Sequence, residues 1–581
     1  MSAKTLCAVL SLLTIFGLML VGCAPAVAPT ATPKPAAPAA PTAKPAPATA
    51  APAAPTIAPK PAAPTAAPKP AAPAATPKPA AEQPRYGGVA TRVMDRDVDH
   101  FDLQQGRTAP FSVVLFNVYQ GLVRIDHLDH QTIRPELAEK WEISPDGKSY
   151  TFTLYKGIKW HDGKPFTTDD VLYSLDRIRD PKKYKAISPR GEGLIAALDK
   201  VEAPAPDTIK LTTKYPSASF LLNIACGWVA IQPKHVLEAK GDMKKDCVGT
   251  GPFKLKEKNA GISLDLVKNP DYYIKGLPYL DGIKFFTVAD DATRFSAFRT
   301  GQALITFSGS KGLSTTHTEI VRKEMADKAV AFDHDSQMRF LIVFNMNKKP
   351  WDNVRVRKAV DLAFDRQAAI KVNGRGNIGS IYAEPWGMNP SELIKLPGYR
   401  QPKDADIAQA KKLMAEAGYA DGFKTTVLAR IGGATEAQGV IAKDQLAKIG
   451  IEAEVITKNT PEVSDRFVRR AFDLVSYPFL ETTGDPDETL YTYYYTKGSS
   501  NYGDFSNKEI DALIEKQAST LDRKAREAIL ADIERKCMEL VPMSICFWDV
   551  YQTGAWKIVK NWVPGPGIHP WGKFDQMWLA K

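Results

Sequence analysis

The sequence has few of the residues and none of the motifs that mark common hydrolases and metalloenzymes. Its 581 residues include eight histidines and six cysteines, and neither His-Glu-x-x-His nor Gly-x-Ser-x-Gly occurs. His127 and His130 are three residues apart, but they lie near a turn, which favours solvated side chains over metal ligands. Ser308-Gly309-Ser310-Lys311 has the Ser-x-x-Lys spacing of penicillin-binding enzymes, but no Lys-Thr-Gly follows it. We therefore expect no metal, no cofactor and no enzymatic activity.

One glycine-rich segment has the spacing of a dinucleotide-binding fingerprint, Gly374-Arg375-Gly376-Asn377-Ile378-Gly379. That fingerprint acts at the end of a strand and at the start of a helix. Here it follows a charged helical stretch at 365–373, and no helical pattern begins within it. We therefore expect no nucleotide site.

Positive charge is unevenly distributed along the chain. Residues 1–81 contain no acidic residue and no arginine but six lysines, so six of the eleven excess positive charges lie there and +5 remains for the rest. No basic stripe of the kind that binds nucleic acid is visible. With 44% apolar residues and this length, the remainder is typical of a soluble protein with two or more lobes.

The chain has a single long apolar run, from Thr5 to Val21. This run is short for a membrane span and follows Lys4, as in a signal peptide. Leu20-Val21-Gly22-Cys23 matches a bacterial lipobox, so we predict a signal peptide at 1–22 and lipid on Cys23. The alternative is a plain secretory signal with an incidental cysteine.

A low-complexity segment separates Cys23 from the rest of the chain. Residues 24–81 consist almost entirely of Ala, Pro, Thr and Lys, with 18 prolines and repeated Pro-Lys-Pro-Ala-Ala. Such a composition cannot bury a core and favours extended polyproline conformations. We predict a disordered tether at 23–84.

Beyond Cys7 and Cys23, four cysteines remain: Cys226, Cys247, Cys537 and Cys546. An even number in an exported chain permits disulfides, and pairing each cysteine with its nearer neighbour in sequence is one of three possibilities. The alternative is four separate buried thiols, because spacing in sequence does not show that two Cβ atoms approach.

The most informative stretch runs from Trp141 to Ile178. Its first part alternates in polarity through Tyr150, Phe152 and Leu154, as a half-buried strand does. Ser144-Pro145-Asp146-Gly147 and His161-Asp162-Gly163 supply turns. Thr167 to Asp170 is typical of a capping box that opens an amphipathic helix. Two ribbons and one helix are therefore predicted within forty residues.

The second half of the chain alternates strand and helix patterns. Thr425 to Ala429, a helix from Glu436 to Ile449 and Ile451 to Ile456 form a βαβ unit, which implies parallel strands buried on both faces. A further strand, Asp473 to Tyr477, ends in a loop at 478–490. The fold class is therefore predicted to be α/β.

These patterns resemble the family 5 extracytoplasmic solute-binding proteins, the peptide, nickel and oligosaccharide receptors of ABC importers. The resemblance extends from about Tyr86 to the C-terminus and rests on the Trp141–Ile178 stretch and on segments 248–253 (VGTGPF), 266–273 (LVKNPDYY), 345–366 (NMNKKPWDNVRVRKAVDLAFDR) and 411–419. It implies a two-lobed periplasmic binding protein type II fold. Lobe I is expected at 85–307 plus 541–581, with an extra subdomain at about 120–212, and lobe II at 308–540.

The resemblance also implies a function. We expect a monomeric, lipid-anchored receptor on the outer face of the bacterial cytoplasmic membrane that captures a peptide or peptide-like solute between two lobes. It would deliver that solute to an ABC permease and its ATPase. Receptors of the same fold for a nickel chelate, haem or an oligosaccharide are alternatives, and a secreted hydrolase is an alternative of another class.

Ligand contacts are expected in the loop that follows Tyr477, because in open α/β sheets the crevice lies beyond the carboxyl ends of strands. This loop contains Phe479, Glu481 and Asp485. In peptide-binding family members an aspartate here pairs with the ligand's α-amino group, but the corresponding position in this chain is Thr482, with Glu481 beside it. Either Glu481 replaces the anchor or the ligand lacks a free amino terminus.

Four further ligand-binding candidates follow from the family's arrangement. Arg107 and Thr108 lie in a loop that faces the cleft in the family, and Tyr119 lies in the helix after it. Trp386 occupies the position of an aromatic lid. Solvated loop positions for the first two, and packing between lobes for Trp386, are the alternatives. Trp548 and Trp228 are expected in the core rather than in the cleft.

Overall fold

A computed structural model describes residues 82–106, 108–306, 312–383, 385–566 and 573–580. The predicted signal peptide, Cys23, nearly all of the predicted tether and Arg107 lie outside the described residues. Those residues belong to one compact unit, although their apolar core divides into separate clusters. Among them, no helix combines the length and the apolar character that crossing a bilayer requires.

The strands of the described residues are β1 Val89–Met94, β2 Val123–Ile125, β3 Ile133–Pro135, β4 Ala138–Ile143, β5 Ser149–Leu154, β6 Leu198–Ala205, β7 Thr208–Thr213, β8 Phe253–Asn259, β9 Ser263–Lys268, β10 Gly282–Thr287, β11 Ala329–Phe344, β12 Phe423–Arg430, β13 Ile451–Lys458, β14 Leu474–Leu480, β15 Met543–Trp556, β16 Val559–Lys560 and β17 Trp578–Leu579.

The α-helices are α1 Ala109–Leu115, α2 Thr168–Arg179, α3 Pro181–Tyr184, α4 Gly191–Leu194, α5 Phe220–Ile224, α6 Lys234–Lys240, α7 Asp291–Arg299, α8 Thr315–Glu324, α9 Val354–Ala363, α10 Arg366–Asn373, α11 Pro390–Leu393, α12 Asp404–Glu416, α13 Gly433–Ala447, α14 Thr460–Val468, α15 Pro486–Thr489, α16 Lys508–Ser519 and α17 Arg523–Leu540. Short 3₁₀ turns occupy Leu103–Gln105 and Gly227–Val229, and a π-helical turn occupies Leu490–Tyr494.

A five-stranded sheet in the order β13-β12-β14-β11-β15 forms the centre of the second half of the chain. β12 is parallel to both β13 and β14, whereas β11 is antiparallel to β14 and β15. The parallel pair β12 and β13 with its crossover helix α13 is the predicted βαβ unit, and with it the predicted α/β class is confirmed.

Both faces of this sheet are covered by helices, because successive side chains of a strand point to opposite faces. On β11, Phe340 and Ile342 pack with α9, α12 and α13 on one face. Leu341 and Val343 pack with α14, α16 and α17 on the other face. The continuous apolar run of this strand is therefore explained by burial on both sides.

The first half of the chain contains two antiparallel or mixed sheets that share one core. A four-stranded sheet has the order β1-β10-β9-β8, and a second has the order β4-β5-β7-β6. Side chains from both, together with Ala555, Phe574 and Met577 from the C-terminal part, form a single apolar cluster. The C-terminal segment therefore packs against the first half of the chain.

The Trp141–Ile178 stretch has the predicted elements, β4, β5 and α2. The backbone N–H of Thr167 donates to Asp170 Oδ2 at 2.9 Å, which confirms the capping box. His161 joins this stretch to the glycine-containing segment at 248–253. Its Nδ1 accepts from the Gly249 N–H at 3.2 Å and its Nε2 donates to the Gly251 carbonyl at 3.0 Å, and burial lowers the histidine pKa to about 4.

The two glycines of that segment are required by close backbone packing. A Cβ on Gly249 would lie 1.9 Å from the Val118 carbonyl oxygen, and a Cβ on Gly251 would lie 2.4 Å from the Asn117 carbonyl oxygen. The Gly251 N–H donates to Val118 at 2.9 Å, so the two backbones are held together at this distance. The motif is therefore a packing requirement between β8 and the chain that follows α1.

The core clusters bear on the lobe borders predicted near 307 and 541. Leu313 and Val321, expected in lobe II, pack against Phe298 of α7. Phe547, expected in lobe I, packs on the five-stranded sheet. The lobe borders near 307 and 541 therefore stay a prediction.

We expect Gly251→Ala to lower the free energy of unfolding by about 1–3 kcal/mol, because the added methyl group meets two backbone carbonyls that cannot rotate away. Gly193→Ala in α4 is the matched control, since nothing lies within 4 Å of its added Cβ. Urea unfolding midpoints measure both changes. Equal midpoints for the two variants would contradict the packing argument.

Candidate functional site

Strands β11 and β15 run from the five-stranded sheet towards the sheet that contains β1. They pair along most of their length, but the register shifts between Asp335 and Arg339, where β11 forms a bulge. Gln337 in this bulge has a φ of 56°, and Ser336 Oγ donates to the Asp549 carbonyl at 2.9 Å. Beyond the bulge, Ile305 bridges to Ala555 of β15 and to Arg92 of β1. The two strands therefore connect the two sheets.

Two adjoining cavities lie beside this bulge. The first, which we call the Trp548 cavity, has a volume of about 310 Å³ and is lined mainly by apolar side chains, including Tyr382, Met388 and Trp548. The second, which we call the His334 cavity, has a volume of about 420 Å³ and a more polar lining that includes His334, Arg375 and Gln552. Asp335 and Asn377 line both cavities. A mostly apolar pocket with a few convergent polar groups is the usual form of a small-molecule site.

The glycine-rich segment at 374–379 positions Trp548. The backbones of Asn377 and Trp548 exchange two hydrogen bonds, at 2.8 and 2.9 Å, and the Trp548 Nε1–H donates to the Ser380 carbonyl at 2.8 Å. A Cβ on Gly379 would lie 2.3 Å from the indole, so only glycine allows this contact. The segment therefore packs on β15.

Glu481, the predicted amine anchor, is buried and already has a cationic partner. Its carboxylate pairs with Arg339 and accepts from the Thr489 hydroxyl, and the side chains of Glu481 and Arg339 are 2% and 0% exposed. The Arg339 guanidinium lies 5.1 Å from the Trp548 ring centroid. A ligand amine would compete with Arg339 for this carboxylate, so the anchoring role of Glu481 stays a prediction.

Phe479 packs against the same buried arginine, Arg339. It is opposite Arg339 in the register of β14 and β11, and its ring stacks on Tyr493 with centroids 3.8 Å apart. It is 2% exposed. Phe479 and Glu481 are therefore brought together around one buried arginine.

Asp485 and Trp386 meet at a second buried arginine, Arg526. Asp485 accepts two hydrogen bonds from Arg526, at 2.8 and 2.5 Å, and also caps α15. The Trp386 ring lies 5.1 Å from the guanidinium carbon of Arg526 and at the same distance from that of Arg523. Both predicted residues thus stabilise the packing of α17 in this structure.

The remaining predicted residues lie in the first half of the chain. Thr108 is the N-cap of α1 and is partly exposed. Tyr119 is 1% exposed, and its hydroxyl donates to the Phe101 carbonyl at 3.0 Å. Arg107 is outside the described residues. None of the predicted residues that the structure describes is among those lining the two cavities.

The residues that line the cavities were missed in the sequence. Asp335 had no motif of its own, although the polar stretch 333–337 was a usable signal, and Asn377 lies in the glycine-rich segment that was considered only as a nucleotide site. Trp548 was expected in the core, and at 4% exposed it is largely buried while its ring edge lines a cavity.

The four cysteines of the described residues, Cys226, Cys247, Cys537 and Cys546, form no disulfide with one another. Cys226, Cys537 and Cys546 are buried in separate parts of the apolar core. Burial raises the pKa of all four thiols, which keeps them protonated at neutral pH. Their arrangement corresponds to the alternative of separate buried thiols.

We expect Glu481→Gln to lower the free energy of unfolding by about 3–5 kcal/mol, because it leaves Arg339 buried without a carboxylate. The double variant Arg339→Met/Glu481→Leu should recover most of this loss, since it removes both charges together. Urea midpoints measure both variants. A single variant as stable as the parent would contradict the assigned pairing.

Comparison with known proteins places the chain in one family. The model described as "Bacterial extracellular solute-binding proteins, family 5 Middle" matches residues 132–501. The glutathione-binding protein GsiB of Salmonella choleraesuis strain SC-B67 is 30% identical over 429 residues, which cover 72% of this chain and 80% of that protein. GsiB of Escherichia coli O1:K1 / APEC is 31% identical over 417 residues, covering 70% and 78%.

Solved structures of similar fold cover nearly all of the described residues. The Helicobacter pylori periplasmic binding protein DppA in complex with peptide STSA is 26% identical, with a TM-score of 0.69 over 86% of this chain and 99% of that one. HbpA2 of Haemophilus parasuis shares the fold at 22% identity, with a TM-score of 0.73 over 85% and 100%. The predicted two-lobed type II fold is confirmed. The chain belongs to family 5 of the bacterial extracellular solute-binding proteins.

Proposed function

We propose that this protein is the receptor of an ABC importer and captures a peptide-like solute between its two lobes without converting it. The observation that carries the proposal is the position of the two cavities, beside the bulge where β11 and β15 pass from one sheet to the other. A solute bound there contacts the strands about which the lobes turn. Similarity to the glutathione-binding GsiB proteins and to a peptide complex of DppA supports a peptide-like solute.

Closure needs contacts that exist in the closed form and are absent from the open form. Ser219, at the start of α5, donates to Asp487 Oδ2 at 2.7 Å, and the Ala218 N–H donates to the Ala518 carbonyl at 2.9 Å. Each bond joins the first half of the chain to the second. The solute's binding free energy and these bonds would together hold the lobes shut, and the closed shape would be what the permease recognises.

The predicted N-terminal segments complete the proposal. A lipid on Cys23 would hold the receptor at the outer face of the cytoplasmic membrane, and the proline-rich tether at 23–84 would let the monomeric globular part reach the permease.

A receptor for a nickel chelate, haem or an oligosaccharide is the alternative from the same family. A chelate or haem would have to be bound by His334 and Arg375, and both side chains already have protein partners. His334 contacts Thr553 Oγ1 at 2.9 Å, and Arg375 contacts Asp549 at 3.2 Å.

The proposal is tested on protein purified without refolding. Native mass spectrometry should detect a bound solute, and di-, tri- and tetrapeptides should raise the melting temperature while being recovered unchanged. At a ligand concentration of 100 Kd the stabilisation should reach about 2.7 kcal/mol. Turnover of a peptide or ester panel would favour the hydrolase alternative. A metal chelate, haem or sugar as the bound solute would replace the peptide.

The closure contact gives a second prediction. Ser219→Ala removes a hydrogen bond to a carboxylate, worth about 1.5 kcal/mol, so it should weaken solute binding about tenfold and speed release. Ser519→Ala is the matched control, because that hydroxyl donates to carbonyls within its own helix. Calorimetry and stopped-flow release measure both variants. Equal affinity in the parent and in Ser219→Ala would remove this contact from the closing mechanism.

A further inference from the structure

Asp335 is the carboxylate that lines both cavities. Its one side-chain partner is the Asn377 amide, which donates to Oδ1 at 3.3 Å. Among the residues that the structure describes, no lysine, arginine or histidine nitrogen lies within 4 Å of the Asp335 carboxylate. The cation that could balance this charge therefore has to come from outside that set of residues.

The neighbouring carboxylates are each neutralised by the protein. Asp333 pairs with Arg322 at 2.5 Å and accepts from Gln552 at 2.9 Å. Asp549 pairs with Arg375 at 3.2 Å. Asp335 thus differs from these two nearby carboxylates, each of which has an arginine partner.

Asp335 is also partly removed from water. It is half-buried, and this desolvation raises the pKa of its carboxyl. A desolvated carboxylate with one weak hydrogen bond destabilises the folded protein unless a cation compensates it. A bound cation would supply that compensation at the cavity wall.

The surroundings of Asp335 define what the cation is attached to. On one side is the Trp548 cavity, where Trp548, Tyr382 and Met388 offer an apolar surface. Its volume of about 310 Å³ is at the lower end of the range for small-molecule pockets, so it accommodates one large side chain rather than a whole oligopeptide. On the other side, the polar His334 cavity could hold the polar part of the same solute.

We propose that Asp335 binds an ammonium or guanidinium group of the solute, while the apolar group next to that cation fills the Trp548 cavity. The proposal rests on the receptor function proposed above and narrows its substrate class to cationic, amphipathic peptide-like compounds. A peptide with a free amino terminus and a large apolar first side chain has this chemistry. The carboxylate that binds the ligand's cation would then be Asp335 of β11, and Glu481 would stay paired with Arg339.

The test compares Phe-Gly-Gly with N-acetyl-Phe-Gly-Gly, which differ in the charge of one nitrogen. By isothermal titration calorimetry, the parent protein should bind the free amine at least 30-fold more tightly than the acetylated peptide. Asp335→Asn should lose this 30-fold preference and bind the acetylated peptide within threefold of the parent. Asp327→Asn, which removes a charge from an exposed position eight residues earlier, should keep the preference.

A stability measurement separates ligand binding from a structural role. Ligand-free Asp335→Asn should unfold at the same urea concentration as the parent or a higher one, because it removes an uncompensated charge. A large decrease in that midpoint, or an equal loss of affinity for both peptides, would assign Asp335 to the fold and overturn the proposal.

The two proposals can fail independently. If the parent binds neither peptide, the solute found by native mass spectrometry becomes the probe. A solute without any cationic group would overturn the role of Asp335 and leave the receptor function intact. A cationic solute whose affinity falls at least 30-fold in Asp335→Asn supports the role of Asp335, and unchanged affinity overturns it. Absence of any bound solute, together with substrate turnover, would overturn the receptor function itself.

Discussion

The main-chain pairing of β11 with β15 is the constraint on which the rest of the structure depends. These strands contribute to the five-stranded sheet at one end and reach the sheet containing β1, through Ile305, at the other. Backbone groups buried there need hydrogen-bond partners, so the pairing has to continue between the two sheets. The register shifts at the bulge between Asp335 and Arg339 and again between Phe340 and Leu341, and a bulge bends and twists a strand locally. The bend in β11 and the two cavities therefore lie at the same place in the fold.

Charge compensation distinguishes the paired carboxylates from Asp335, which lines both cavities. Glu481 pairs with Arg339, and Asp485 pairs with Arg526 through two hydrogen bonds. Breaking such buried pairs leaves an uncompensated charge in the core, so these residues stabilise the fold. Asp335 has an amide as its partner and lines both cavities. In this protein, the partner of a carboxylate is more informative about its role than its position in a motif.

Glycine-containing motifs act here by permitting close approach. Gly249 and Gly251 let β8 lie against the backbone of Asn117 and Val118, and His161 bridges both glycines through its two ring nitrogens. Gly379 lets the 374–379 segment lie flat on the indole of Trp548. A spacing of glycines that resembles a nucleotide-binding fingerprint thus serves the packing of an aromatic side chain, because the same freedom from a Cβ suits both purposes.

The sequence by itself determined the features that depend on near neighbours. The alternation of β5, the capping box of α2, the helix α9 and the βαβ unit of β12, α13 and β13 were all predictable, since periodicity and capping act within a few residues. The resemblance of the motifs to the family also indicated the type II fold. By contrast, the first half of β11 was missed, because its polar residues do not show the periodicity of a buried strand.

Tertiary structure alone decided the candidate site. Arg339 and Glu481 are 142 residues apart in sequence, and Arg526 and Asp485 are 41 apart, so no local pattern reveals that these charges neutralise each other. Asn377 and Trp548 meet in the same way, across the sheet. Whether a carboxylate is compensated depends on side chains brought within a few ångströms by the fold, and that is a property of the packed chain and not of any segment of it.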